Sequence, residues 1–370
     1  MYTFSLIQNY DQLVDLEQKW RELLDNATFD SVFCCHTWIC CWWRTLARPD
    51  DIMNVVIAER EGQVVAVAPF MIRRHREYGF HINALRFIGV PNADRCDVII
   101  RTGQEVVVEP LFHYLVSDVH GWNQLHLNEV PKESVFVRWL LENTSLSYVE
   151  PGSDCPYVPL SQWENWDEYY AGLSKKTRLE LNRKNNRLLK EANGRYFHIE
   201  SLVASDPEIM RASSVEGLSS KATNRDNLVL NNSKIWKFHQ CLLENPKEVK
   251  ILLSGLDIGG ELAAYLYGFV YKKRYYAYNT AYTEQHKDYY SGKLIMNEVL
   301  RYTKAKDIDC FEFLRGGTFL KKRWAKDTRI QKNIFWLKKN FFNLVYVMLI
   351  FKLRPLIKKY IALFFSNSRN

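Results

Sequence analysis

The 370-residue chain has no uninterrupted apolar stretch of the ~20 residues that a membrane-spanning helix needs. Its longest late run, Phe341–Phe351, is far shorter. A basic start followed by an apolar segment is also missing. The opening MYTFSLIQNYDQLVDLEQKW is amphipathic and acidic, so no secretory signal is expected. Together these absences predict an intracellular protein that is not integral to a membrane. Zinc-type cysteine spacing is absent as well. Eight cysteines stand at 34, 35, 40, 41, 96, 155, 241 and 310, and the cluster CCHTWICC lies between VF and WW. That setting suits small buried hydrophobes on an aromatic helix in a reducing cytosol, and no metal is expected. No helix-turn-helix or other nucleic-acid module is recognisable, which removes DNA as an expected partner. Acid is missing most locally of all: no Asp or Glu follows Asp327. The nine cations beyond that point, removed from the formal net charge of +8, leave the first 327 residues at −1. The body is near neutral and the basic excess belongs to the C-terminal end.

What is present is a chain long enough for two domains, with 47% hydrophobic residues to fill their cores. Helical patterns over Asp11–Asn26 and Thr37–Ala47 precede β-rich runs at Asn54–Glu61, Gln63–Arg74 and Ile82–Val90. Helices near Glu105–Ser117 and Glu133–Asn143 flank a strand at Gln124–Asn128. PGSDCPYVP, Pro151–Pro159, is the densest run of turn residues, and a domain boundary is expected there, dividing 1–155 from 156–338. The second half repeats the plan: helices over Trp163–Ala192 with a break near Gly172, then Pro207–Gly217 and Lys234–Leu243. Strands follow at Glu248–Asp257, Glu261–Val270 and Tyr275–Tyr282, then a helix at Ser291–Lys306, a strand at Cys310–Leu314, a short helix near Thr318–Ala325 and a strand at Ile330–Lys338. EGQVVAVAPFMI and GGELAAYLYGFV align within this plan and suggest a tandem duplication. The expected fold is mixed α/β.

The stretch richest in chemistry is YNTAYTEQHKDYYSGKLIMNEVL, Tyr278–Leu300. An aromatic strand ends, a polar loop crosses, and SGKL opens a helix with Leu294, Ile295, Val299 and Tyr302 on one face. Ser291, or Tyr290 one position earlier, is the expected N-cap. Gly292 admits a close approach to backbone N–H groups that suit a phosphate or pyrophosphate, and Lys293 adds charge. A purely structural helix start fits the same residues. A second basic stretch, SKKTRLELNRKNNRLLKE, carries seven cations against Glu180 and Glu191. Its interrupted leucine face fits a helix over a cleft or a solvated face.

The order of these parts resembles the GNAT acyltransferase superfamily, in its tandem-domain BioF-like and CelD-like acetyltransferase branch, with the Fem peptidyltransferases more distant. FDSVFCCHTWICCWW, QVVAVAPFMIRR, LRFIGVPNADRCDVI, LSKKTRLELNRKNNRL, SGKLIMNEVL and FEFLRGGTFLKKRWA carry the likeness between Phe29 and Lys338. The departures are Glu312 where Asp is expected, Thr318 where an acid is common, and the poorly matching Ser213–Leu228. The resemblance implies two tandem GNAT-like domains, each a mixed, mostly antiparallel sheet flanked by helices, with acetyl-CoA or another acyl-CoA as co-substrate in the second. It implies N- or O-acylation of an amino sugar or other envelope or exopolysaccharide precursor, with a glycan or amine as acceptor.

Under that resemblance Asn279, Thr280, Ala281, Ser291, Gly292, Lys293 and Leu294 would hold the donor. Glu216 or Glu312 would act as base and Tyr282 as acid for the thiolate. Asp94, Asp97, Lys175, Lys176, Arg178, Arg315, Lys321 and Trp324 would contact substrate. Structural alternatives stand beside these roles: Glu312 paired with Arg315 or Lys321, Glu216 capping or facing solvent, and Tyr282 packing. A Fem-like transferase using aminoacyl-tRNA, in which the basic helix touches RNA, is the alternative enzyme, and a membrane-associated scaffold with degenerate domains is the non-enzyme alternative.

The tail, 339–370, alternates large apolar groups with cations. Phe341, Phe342, Phe351, Tyr360, Phe364 and Phe365 would enter the headgroup boundary, while Lys352, Arg354, Lys358 and Lys359 meet anionic lipid. Pro355 is expected to kink it. The alternative is tail helices packed on the body. The expected location is cytoplasmic, peripheral on the inner face of the membrane.

Overall fold

The computed structural model describes residues 1–77, 79–223, 228–316, 318–339 and 341–353. The first half runs β1 (Thr3–Ile7), α1 (Tyr10–Val14), α2 (Glu17–Asp25), α3 (His36–Leu46), β2 (Ile52–Arg60), β3 (Gln63–Glu77), β4 (Phe80–Phe87), β5 (Ile99–Ile100), α4 (Val108–Ser117), β6 (Gln124–Pro131), α5 (Val135–Asn143) and β7 (Ser147–Val158). The second half runs α6 (Trp166–Ala171), α7 (Lys175–Glu191), β8 (Arg195–Ile199), α8 (Pro207–Leu218), α9 (Ser233–Glu244), β9 (Val249–Ile258), β10 (Glu261–Tyr271), β11 (Arg274–Tyr282), α10 (Ser291–Ala305), β12 (Cys310–Glu312), α11 (Thr318–Lys321), β13 (Asp327–Leu337) and α12 (Phe341–Val347). The expected elements are there, with β1, β5, β7 and β8 as additions.

Two compact units result, and neither is contiguous. The first comprises Met1–Asp30, Arg48–Gly152 and the chain from Gln331 onward; the second comprises Ser31–Ala47 and Ser153–Ile330. Helix α3 therefore packs with the second unit, whereas the expected segments 1–155 and 156–338 were unbroken. The turn-rich run at 151–159 is mostly strand. Gly152 serves close approach rather than turning: a Cβ there would lie 2.7 Å from the Gln331 carbonyl carbon.

In the first unit the strands lie in the order β1-β2-β3-β4-β6-β13. All neighbours are antiparallel except β4 and β6, which pair in parallel through Ala84↔Gln124, Leu85↔Leu125 and Arg86↔His126. The second unit orders its strands β7-β12-β11-β10-β9-β8. Here β11 and β12 form the parallel pair, through Arg274↔Cys310, Tyr275↔Phe311 and Tyr276↔Glu312. Each parallel pair is linked by a helix, α4 or α10, as parallel strands require. The shared plan fits the tandem duplication suggested by the sequence.

Helix α10 buries Leu294, Ile295, Met296, Val299 and Leu300 against one sheet face with Leu266, Tyr275 and Phe311. On the other face, the Trp38 ring of α3 meets Phe238 at 4.8 Å and Phe269 at 5.4 Å. Cys41 and Cys241 are disulfide-bonded there, with Cα atoms 5.6 Å apart. The reading of every cysteine as a free buried hydrophobe therefore holds for the other six alone, all buried thiols.

The beginning of the tail docks on the first unit. Tyr346 and Val347 are buried with Ile82, Ala84 and Leu337, and the Tyr346 hydroxyl donates to Glu77 at 2.9 Å. Phe342, Leu344, Met348 and Leu349 stay exposed. Pro355, Tyr360, Phe364, Phe365, Arg354, Lys358 and Lys359 lie outside the described residues. No described helix is long and apolar enough to cross a membrane.

Candidate active site

The site grows from the short reach of the β11–β12 pairing. After Tyr276↔Glu312 the two strands lose register, while β11 stays bonded to β10 as far as Ala264↔Tyr282. Among the described residues, β11 thus pairs with β12 no further than Tyr276. Backbone N–H groups beyond such a pairing need a ligand, water or side chain.

At the end of that strand stands the start of α10. Tyr290, in the left-handed conformation with φ 60° and ψ 38°, is the N-cap and supplies no side-chain hydrogen bond. Ser291 is one position inside the helix and fully buried, with its Oγ unpartnered. Gly292 and Lys293 keep partial exposure. The close approach that Gly292 permits is made by the chain itself. A Cβ there would meet the Tyr282 Cδ1 at 2.7 Å, so the Tyr282 ring, 42% exposed, lies on the first turn of the helix.

Lys293 is less available than its position suggested. Its ammonium is 2.6 Å from the Glu180 carboxylate of α7, which also takes Arg323 at 2.8 Å. Burial works against the charged Glu180, and the hydrogen bonds from Lys293 and Arg323 outweigh it, holding the carboxyl below its ordinary range. Lys184 and Lys293 lie over the Tyr290 ring at 4.3 and 4.0 Å, and Lys184 donates to the Asp288 carbonyl. The inner side of the basic helix is therefore built into the α10 turn. Lys175 and Lys176 remain exposed, and Arg178 Nε donates to the Leu173 carbonyl at 3.3 Å.

Glu216 on α8 is fully buried and saturated. It accepts from the backbone N–H groups of Val229, Leu230 and Asn231, each at 2.9 Å. It also accepts from Asn231 Nδ2 at 3.1 Å, Asn279 Nδ2 at 2.7 Å and the Tyr265 hydroxyl at 3.3 Å. A carboxylate offers about four lone-pair sites, so none remains for a substrate proton. This corrects the expectation of Glu216 as a base: it anchors the loop and orients Asn279. The far side of Asn279 accepts from Lys221 Nζ at 2.7 Å. Burial lowers the Lys221 pKa, against the pull of Glu216.

Glu312, also fully buried, stands at the last paired position of β12. Its Oε1 accepts from Arg329 Nε at 2.9 Å, and its Oε2 has no partner. Arg329, rather than Arg315 or Lys321, is its ion-pair partner. Arg329 in turn lies 3.9 Å from the Tyr157 ring centroid. Burial and the Glu312 charge push the neighbouring Cys310 thiol up to about 12.

Other expected contacts are structural. Lys321 Nζ is held by the carbonyls of Phe313, Leu314 and Arg315 at 2.7, 3.0 and 2.7 Å. Trp324 is a core residue against Phe313. Ala281 and Leu294 are buried, and Thr280 Oγ1 donates to the Tyr265 carbonyl at 2.7 Å. Asp94 and Asp97 belong to the first unit and are buried. Asp97 Oδ1 accepts from Ser134 Oγ and Val98 N–H, both at 2.8 Å.

Sequence reading missed Lys221, Tyr265, Arg329 and Arg323. Lys221 lies in the segment that matched no family pattern, and the other three acquire meaning only from long-range contacts. Among the described residues no cluster of His, Cys, Asp or Glu is arranged to hold a metal ion.

Residues 175–322 match the family model described as an acetyltransferase (GNAT) domain. No curated protein matches the sequence. Among solved structures, the fold is similar to that of FemX, with TM-score 0.62 and 9% identity over 90% of this chain and 98% of that one. L-PGS from Bacillus licheniformis gives 0.54 and 11%, over 90% and 95%. A tandem GNAT protein from the clavulanic acid biosynthesis pathway gives 0.50 and 12%, over 90% and 98%. Such low identities speak for the fold alone, while the family match falls on the unit that holds β11 and α10. The chain thus has a tandem GNAT-like fold, similar to that of FemX, and its second unit contains the residues that match the acetyltransferase (GNAT) domain model.

Proposed function

We propose that the second unit transfers an acyl group from an acyl-CoA, acetyl-CoA first among them, to the amine or hydroxyl of an amino sugar or related envelope precursor. The observation that carries this reading is the end of β11, paired with β12 no further than Tyr276, running directly to an uncapped helix start. Such a start attracts a pyrophosphate through its free N–H groups and dipole. The buried, unpartnered Ser291 Oγ supplies one further donor there.

The thioester lies along Asn279–Ala281, where a backbone N–H stabilises the oxyanion formed on attack. The acceptor nitrogen or oxygen bonds to the carbonyl carbon and gives its proton to Glu312 Oε2, the carboxylate oxygen left open. Arg329 holds the other oxygen of that carboxylate in place. The tetrahedral intermediate then expels the coenzyme thiolate, which takes a proton from Tyr282. Holding both reactants in register supplies the largest share of the acceleration. Asn279, fixed by Glu216 and Lys221, keeps the strand edge rigid.

Lys175, Lys176 and Arg178 contact an anionic part of donor or acceptor, and Arg315 is a further substrate contact. The tail adds attraction to an anionic membrane surface, supported by the exposed Phe342, Leu344, Met348 and Leu349. Because Asn343, Tyr346 and Val347 are packed in the first unit, a truncation that tests the membrane contact must fall after residue 353.

Titration of the full chain with acetyl-CoA, followed by thiol release with glucosamine-type acceptors, tests the reading. Saturable binding and acceptor-dependent thiol release are expected. Binding of aminoacyl-tRNA instead would establish the Fem-like donor, and binding of neither would leave the scaffold reading.

A further inference from the structure

The first unit contains a cation, Arg86, with no ion-pair partner among the described residues. On β4, Arg86 stands in register with Met71 of β3 and His126 of β6. One strand away, Arg73 is buried and grips Asp51 in a fork, with Nε–Oδ1 at 2.8 Å and Nη2–Oδ2 at 2.5 Å. That pairing consumes the nearest carboxylate. The Arg86 Nε is shielded from solvent and has no acceptor. Its Nη2 reaches Asn128 Oδ1 at 3.5 Å, the outer limit of a hydrogen bond.

The neighbours make matters worse for the charge. Burial, then the Arg73 charge, outweigh the pull of Asp51 and, with Arg48, bring the Arg86 pKa down to about 10. His126 accepts no proton at ordinary pH: burial, Arg86 and His75 bring it to about 3, and its Nε2 pairs with Gln124 at 2.8 Å. Glu77, the other acid nearby, takes the Tyr346 hydroxyl at 2.9 Å and lies 3.9 Å from His75 Nε2. A desolvated cation without a counterion is expensive, and proteins rarely retain one unless something binds it. Guanidinium geometry matches an oxyanion. Both Arg86 and Asn128 keep part of their surface in water, so a ligand reaches them from solvent.

We propose that this cluster is a binding site for a small oxyanion, a phosphate or a carboxylate, seated on Arg86 with Asn128 beside it. Phosphate and carboxylate share the chemistry the guanidinium recognises, and the site stands independently of the transfer reaction.

The test is the melting temperature of the full chain in chloride, in inorganic phosphate and in acetate at equal ionic strength, together with the ³¹P line width of phosphate. A saturable rise of a few degrees in one or both anions is expected for the wild type. Arg86→Met should melt no lower than wild type in chloride and gain nothing from the anion. A rise in phosphate alone assigns a phosphate-bearing ligand, and a rise in acetate alone a carboxylate. No saturable rise with either anion, or an equal rise in Arg86→Met, overturns the site. Should the variant fail to fold, unbroadened ³¹P resonances together with an unshifted wild-type melting curve in acetate overturn it without a variant.

Discussion

The parallel pairs β4–β6 and β11–β12 occupy the same place in two copies of one plan, and each holds three residue pairs before the strands part. At the last pair the first unit sets Arg86 beside His126, and the second sets Tyr276 beside Glu312. One divergence point is therefore cationic, with a histidine too buried to charge. The other is anionic, with an open carboxylate oxygen. The strand exits differ too. Beyond β4 the chain turns through cis Val90-Pro91 and Asp97, whereas beyond β11 it runs through the Tyr290 N-cap into α10. Backbone geometry survives duplication because it needs only hydrophobic alternation and a crossover helix. The side chains at the opening are free to diverge, and here they place an arginine at one opening and a glutamate at the other.

The comparison breaks most readily at Glu216. Replacing it with Ala leaves buried N–H groups at 229–231 unsatisfied, and a loss of about 3–5 kcal/mol in denaturant unfolding of the second unit is expected. Glu312→Gln should lower kcat about 10²–10⁴-fold and leave the KM for acyl-CoA nearly unchanged; a drop in stability alone would mean that Glu312 serves structure. Gly292→Ala drives a methyl group into the Tyr282 ring, at a cost of about 1–3 kcal/mol. The double variant with Tyr282→Ala should recover most of that loss in thermal melting.

A separate test belongs to the first unit. Burial raises Asp97 to about 7 in spite of its hydrogen bonds to Ser134 and Val98. A folded pKa above the unfolded value gives stability that is fully present below about pH 4 and lost as pH rises through 7. Asp97→Asn should therefore gain melting temperature relative to wild type as pH goes from 4 to 8, and a constant difference would contradict the buried-acid account.

Much of the fold was legible because its signals are local. The break at Gly172 between α6 and α7 follows from residues within a few positions of it. Strand β7 was not legible: Pro151, Gly152 and Pro156 read as turns, yet the neighbouring Gln331 backbone requires Gly152 to be small. At the site, the β11 edge and the α10 start were readable from glycine, aromatic alternation and an apolar helix face. The saturation of Glu216, the capture of Lys293 by Glu180 and the Arg329 partner of Glu312 were not, since each joins residues far apart in sequence.

Residue order by itself determined the duplicated strand and helix plan, the near-neutral body and the basic end, because periodicity and charge are properties of neighbours along the chain. Tertiary structure decided which carboxylates are spent and which stay open, which glycine admits a ring rather than a ligand, and which arginine has no ion-pair partner among the described residues. Those outcomes depend on desolvation and on the few ångströms between groups that only folding brings together.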